Sequence, residues 1–148
     1  MALQTNGDVI TAGSVISSLS LQGNSSGSGL VRFVPNGSID FLFGQRGLVI
    51  TAFAKAPQAV ASALALQPNG DIVAAGTAGS SSSQSFALAR YGQGGQLDPS
   101  FGTGGLVTTS FGNVTLGLNA MVLQSDGKSV VVGNVNQASM VMARYLGQ

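Results

Sequence analysis

Short apolar runs alternate with small and polar positions along the whole chain, and turn dipeptides separate them. Asn6-Gly7, Asn36-Gly37, Asn69-Gly70 and Asp126-Gly127 each join two short stretches rich in Val, Ile, Leu and Ala. A two-residue turn of this kind needs positive φ at both central positions, which Asn, Asp and Gly supply, so each dipeptide predicts a β-hairpin. Helical spacing is not sustained anywhere. Residues 51–67 are rich in Ala, but Pro57 interrupts them and their alternation of Ala with Ser or Leu suits a strand. The pattern predicts an all-β chain.

The strand pattern also repeats. Ala2 to Gly13, Ala65 to Gly76 and Val122 to Gly133 are three copies of one segment. A second segment, Arg32 to Gly44, recurs as Arg90 to Gly102, and the match runs without a gap to Phe53 and Phe111 at a constant offset of 58. Ala143-Arg144-Tyr145 starts it a third time. Successive first segments are offset by 63 and 57 positions, and successive arginines by 58 and 54. The drift sits in the connection from the closing glycine to the arginine, which shortens from 19 to 14 to 11 positions. That connection holds Ser17-Ser18, residues 24–27 and Ser80 to Ser83, the content of a surface loop that tolerates insertion.

A unit of this length holds four strands, predicted in the middle copy at about Ala61 to Gln67, Ile72 to Ala75, Ser85 to Tyr91 and Gly105 to Phe111. Four antiparallel strands repeated every 54 to 63 residues make a β-propeller blade. Blades are expected at residues 2–57, 58–115 and 116–148, the last stopping after its third strand, so the chain carries about two and three-quarter blades. The run from Ala65 to Gly76, then Phe86-Ala-Leu-Ala-Arg-Tyr91, then Leu97-Asp-Pro-Ser-Phe-Gly-Thr-Gly-Gly105 resembles the bacterial delta-60 repeat, a β-propeller domain of unknown function. The first copy departs from that pattern, with Arg32-Phe33 in place of Arg-Tyr and Phe41-Leu42 in place of a small or polar pair. The resemblance implies a large secreted or surface-associated bacterial parent and no established activity.

Composition narrows the function more than it identifies it. Hydrophobic residues make up 44% of the 148 and charged residues 7%, against roughly 25% charged in ordinary globular chains, so disorder through charge is not expected. Six Lys and Arg against five Asp leave a net charge of +1 and no basic stripe, which argues against a nucleic-acid partner. With no His, Cys or Glu, most metal, acid/base and nucleophilic sites have no residues to build them, so neither a cofactor nor an enzyme activity is expected. No apolar run approaches a membrane span, and Met1 to Asn6 lacks the pattern of a signal peptide. Met1 opens directly on a first strand and the chain closes with a third, which reads as a module boundary or an excised piece; native localisation is therefore obscured.

Arg32, Arg90 and Arg144 share one repeat position and carry half of the positive charge. They are the ligand-binding candidates: a ring of guanidinium forks suits carboxylates, sulfates or sugars. The alternative is a bridge from each Arg to a neighbouring blade's Asp or to loop carbonyls. Asp40 and Asp98 are the natural partners. A two-residue turn at Asn36-Gly37 would set position 33 against position 40, leaving Arg32 and Asp40 diagonal and favouring pairing between blades. Asp8, Asp71 and the Asp126/Lys128 variant sit at hairpin turns, too few oxygens to hold calcium. Phe33, Phe43, Phe53, Phe86, Tyr91, Phe101, Phe111 and Tyr145 recur with the repeat, which favours core between blades over a platform for sugars. Residues 92–95 and 102–105 are Gly-rich but lack the features of a phosphate loop. Asn24, Asn36 and Asn113 open Asn-x-Ser/Thr triplets, as chance produces in a chain of this composition.

Closed propellers have about four to eight blades, so a lone chain leaves two blade faces unpaired. The expected remedy is a homodimer closing a six-bladed ring, or head-to-tail stacking into a filament. The function expected is that of a non-catalytic structural or interaction scaffold, with a possible protein or glycan ligand. The alternative is a lectin-like oligomer using the arginines or the loop from Ser14 to Gly29, gaining from multivalency.

Overall fold

The structure, a computed structural model, describes residues 1–16, 26–54 and 56–147. Three antiparallel sheets follow one another along the chain. The first contains β1 (Ala2–Leu3), β2 (Val9–Ile16), β3 (Ser26–Phe33) and β4 (Leu48–Thr51); the second contains β5 (Gln58–Leu66), β6 (Ile72–Gly79), β7 (Gln84–Tyr91) and β8 (Leu106–Ser110). The third has three strands, β9 (Leu116–Leu123), β10 (Ser129–Val135) and β11 (Ser139–Tyr145). Each strand pairs with its sequence neighbours, the up-and-down order of a propeller blade. The fold is all-β, a partial propeller of about two and three-quarter blades.

Strands two and three of the second sheet run further than the sequence pattern predicts. The connection expected as one long loop is mostly strand where it is described: β6 extends to Gly79, β7 starts at Gln84, and only four residues lie between them. In the first sheet β2 reaches Ile16 and β3 begins at Ser26. Ser17-Ser18 and Asn24-Ser25, with most of the Ser14 to Gly29 loop, lie outside the described residues.

The hairpins form where the dipeptides place them, but their loops hold three residues rather than two. Gln67 N donates to Asp71 O (2.8 Å) and Gly70 N to Gln67 O (2.8 Å), so Pro68, Asn69 and Gly70 span the turn. Gly7, Gly37, Gly70 and Gly127 have positive φ, whereas their preceding Asn or Asp residues do not. The cause is local: Asn69 Oδ1 accepts from Asp71 N (3.0 Å), a cap that Asn6 and Asn36 repeat, and the left-handed glycine alone closes the loop. The extra residue moves the register by one. Phe33 bridges Ile39 and Tyr91 bridges Leu97, which brings Arg32 directly opposite Asp40 and Arg90 opposite Asp98. The diagonal, between-blade arrangement is corrected accordingly.

Two apolar layers hold the sheets together. Ile10, Leu30 and Phe43 of the first sheet meet Ile72, Ala87, Ala89 and Tyr91 of the second, and Val73, Phe86 and Leu88 of the second meet Val131, Val141 and Tyr145 of the third. The first strand of each sheet makes the principal contacts with the sheet before it, so the blades converge there. Fully burying a Leu, Ile or Phe contributes roughly 1.5–3 kcal/mol, and each layer holds several. Convergence also explains the small residues. Pairing of β5 with β6 is irregular between Ala61 and Ala63, and there the Val60 carbonyl presses on Gly76; Gly133 meets the Gly117 carbonyl at the matching irregularity between β9 and β10.

Candidate functional site

Arg32 and Arg90 sit near the ends of β3 and β7, just before the hairpin that leads to the fourth strand. The one-residue register change puts each carboxylate across the strand pair. Arg32 Nε donates to Asp40 Oδ2 at 2.8 Å and Nη2 lies 2.6 Å from the same oxygen; Arg90 Nε donates to Asp98 Oδ2 at 2.7 Å. Each guanidinium also lies over an aromatic face, Arg32 4.7 Å from the Phe43 ring centre and Arg90 5.0 Å from that of Phe101. Asp40 is held below the ordinary carboxylate value by the Leu42 amide and then by Arg32. Asp98 is lowered by the Ser100 amide and hydroxyl and by the Arg90 charge.

Beyond the carboxylate the two arginines differ. Arg32 Nη1 donates to the Gln93 carbonyl of the second blade at 2.7 Å, while Arg90 Nη2 donates to Ser100 Oγ at 2.7 Å. Arg90 has a side chain only 3% exposed. For Arg32 the loop-carbonyl reading holds, since Gln93 lies in the next blade, whereas its carboxylate partner lies within its own blade. Arg144, on β11, is exposed and makes no hydrogen bond or ion pair among the described residues. It lines a cavity of about 360 Å³ with Ser100, Phe101, Gly102, Val107, Tyr145 and Leu146. The three arginines thus lie one per blade and do not meet in a common pocket: a cavity of about 450 Å³ between Leu42 and the Gly94-Gly95 turn holds none of them.

The remaining candidates serve turns and layers. Asp8 and Asp71 each accept from the Asn two residues earlier, and Lys128 pairs with Asp126 at the third copy of that turn. Phe43, Phe53, Phe86, Tyr91, Phe101 and Tyr145 are buried between sheets, and Phe111 packs edge-on against Phe86 with ring centres 5.4 Å apart. Gly102 and Gly105 adopt positive φ in the bend that leads into β8, and Gly95 closes the hairpin after β7. Asn36 lies in its hairpin loop, Asn113 is exposed, and Asn24 lies outside the described residues.

One repeated polar contact escapes the sequence reading. The Tyr91 and Thr51 hydroxyls lie 2.6 Å apart across the first and second sheets, and Tyr145 Oη donates to Thr109 Oγ1 at 2.9 Å across the second and third. Burial raises the pKa of both phenols, and the threonine contacts offset part of that shift. The signal lies in the gapless match itself, which aligns Thr51 with Thr109 as it aligns Phe53 with Phe111.

No curated protein matches the chain. A family model described as Domain of unknown function (DUF5122) beta-propeller matches residues 67–101, from the first hairpin loop of the second blade through Arg90 and Asp98 to Phe101, and over that stretch the chain is similar to a propeller family without an assigned activity.

Proposed function

We propose that the chain is a non-catalytic β-propeller module of the delta-60 type that works as a structural scaffold and completes itself by self-association. The observation that carries this reading is the pair of unmatched ends. Three sheets of one build stack face to face, yet the first and third each keep an apolar face open, with Leu3, Met140 and Met142 among the most exposed large side chains. A ring of four to eight blades has no such faces. The arginines support the same reading, because Arg32 and Arg90 spend their donors on the blade and its neighbour. Light scattering tests it: the scaffold reading expects a particle of at least twice the 14.7 kDa chain mass at micromolar concentration, and a stable monomer there refutes it.

A lectin-like reading has one observation in its favour, the exposed Arg144 beside Tyr145 in an open cavity. Glycan-array binding that disappears on Arg144→Ala, with the circular dichroism spectrum unchanged, would support it; no binding to any glycan leaves the scaffold alone.

A further inference from the structure

We propose that two copies of the chain close a six-bladed ring head to tail, the outer face of the first sheet of one copy docking on the outer face of the third sheet of the other, with Arg144 donating to the Pro35 carbonyl across the joint. This rests on the self-association reading above and names its interface.

The interface is already made twice within the chain. The first sheet meets the second through Ile10, Leu30 and Phe43, and the second meets the third through the same repeat positions, Val73, Leu88 and Phe101. Their counterparts on the third sheet are Val130 and Met142, on the face turned away from the second sheet, where Met142 is 70% exposed. The complementary half is displayed at the other end. Leu66, Ile72 and Tyr91 carry the second sheet onto the first; their counterparts are Leu3, Val9 and Phe33 on the outer face of the first sheet, and Leu3 is 69% exposed.

Two polar details fit these ends to each other. At both internal joints a tyrosine hydroxyl reaches a threonine on the fourth strand of the preceding sheet. The incoming first sheet carries Phe33 at the tyrosine position, which has no hydroxyl to leave unpaired and so asks for no threonine across the joint. Arg32 donates to Gln93 O in the next blade. Arg144 is the repeat equivalent of Arg32, and Pro35 is the equivalent of Gln93 in a first blade; the Pro35 carbonyl accepts no hydrogen bond among the described residues.

Size and count agree. The accessible surface is 8171 Å², whereas a compact monomer of 14.7 kDa exposes about 6,900 Å². A stable interface removes roughly 800 Å² from each partner, and this chain has two faces to cover. Counting the three-stranded sheet as a blade, two chains bring six blades together, within the four to eight of a closed ring. Each face of one copy then meets the opposite face of the other, as closed two-fold symmetry requires.

Sedimentation of the chain and three variants tests this. Leu3→Asp blocks the head, Met142→Asp blocks the tail, and Leu42→Asp is the control at an exposed position on neither face; all three sites are open in the chain, so its fold tolerates the charge. The expected result is a dimer for the wild type and Leu42→Asp and a monomer for each face variant alone. Mixing Leu3→Asp with Met142→Asp restores a dimer, because one good head then meets one good tail. Arg144→Gln raises the dimer dissociation constant about tenfold. A wild-type dimer that survives Met142→Asp, or a mixture that stays monomeric, overturns the head-to-tail joint while leaving self-association standing. A wild-type monomer overturns both, and species that grow beyond the dimer with concentration overturn ring closure. An unchanged constant for Arg144→Gln removes the arginine from the joint.

Discussion

At the scale of single residues, repetition of a side chain does not mean repetition of its constraint. Gly13, Gly76 and Gly133 occupy one repeat position. A Cβ on Gly76 would overlap the Val60 carbonyl, and one on Gly133 would overlap the Gly117 carbonyl, whereas a Cβ on Gly13 meets nothing within 4 Å, because β1 spans only Ala2–Leu3. Gly76→Ala is therefore expected to lower stability by about 1–3 kcal/mol through overpacking. Gly13→Ala, without positive φ, should be neutral or stabilising by about 0.4–1 kcal/mol through the unfolded chain. Chemical denaturation of the two variants checks the contrast. The arginine pairs set a second residue-scale outcome. Asp40 and Asp98 have folded pKa values below the ordinary 3.8, so the stability they contribute is present above 3.8 and is lost as pH falls through the lower folded values. The melting temperature should fall below pH 3.8, and Asp98→Asn should lower it at neutral pH and flatten the acid limb.

Elements were legible to the degree that the repeat exposes them. The two repeated segments together make four strands per blade readable, and the recurrence of the aromatics places Tyr91 in a buried layer. Loop length was not legible, because Asn-Gly serves two-residue turns and three-residue loops alike. The side-chain cap from Asn69 onto Asp71 N accompanies the longer loop at the Asn-Gly hairpins, and the hairpin after β7 takes the same length with Gly94 in place of the Asn. From the extra loop residue follows the whole arginine geometry, since Arg32 faces Asp40 only in the longer loop. Between elements, the tyrosine–threonine contact makes a prediction of its own. Tyr91→Phe removes the hydroxyl bonded to Thr51 and should cost about 1 kcal/mol. Burial raises the folded pKa of Tyr91 above 10.0, so its stabilisation is complete below 10.0 and is lost as pH rises through the folded value. Melting temperature should drop above pH 10 in the wild type and less steeply in Tyr91→Phe, the remaining slope arising from Tyr145.

For the whole molecule, few charges and many small residues have a common cause. Blades that converge need Ala and Gly where they meet, and faces that meet other faces have little room for charge: of the five Asp, Asp40 and Asp98 pair with arginines beside the joints, Asp8 lies at its hairpin turn 3.8 Å from Arg32, and Asp71 and Asp126 sit in hairpin turns. A chain built this way is stable in proportion to the faces it covers, and on the proposed joint a second copy covers the two outer faces. Stability should then depend on concentration. If the native state is a two-chain ring that unfolds to separated chains, each tenfold rise in protein concentration adds about 1.4 kcal/mol to the folded state. At roughly 2–4 °C per kcal/mol for a particle of this size, the melting temperature should climb by several degrees across two decades of concentration. Met142→Asp, confined to one chain, should melt lower and at a temperature independent of concentration. Calorimetry at two concentrations decides between these outcomes, and a wild-type melting temperature that does not move would place all of the stability in the two internal layers.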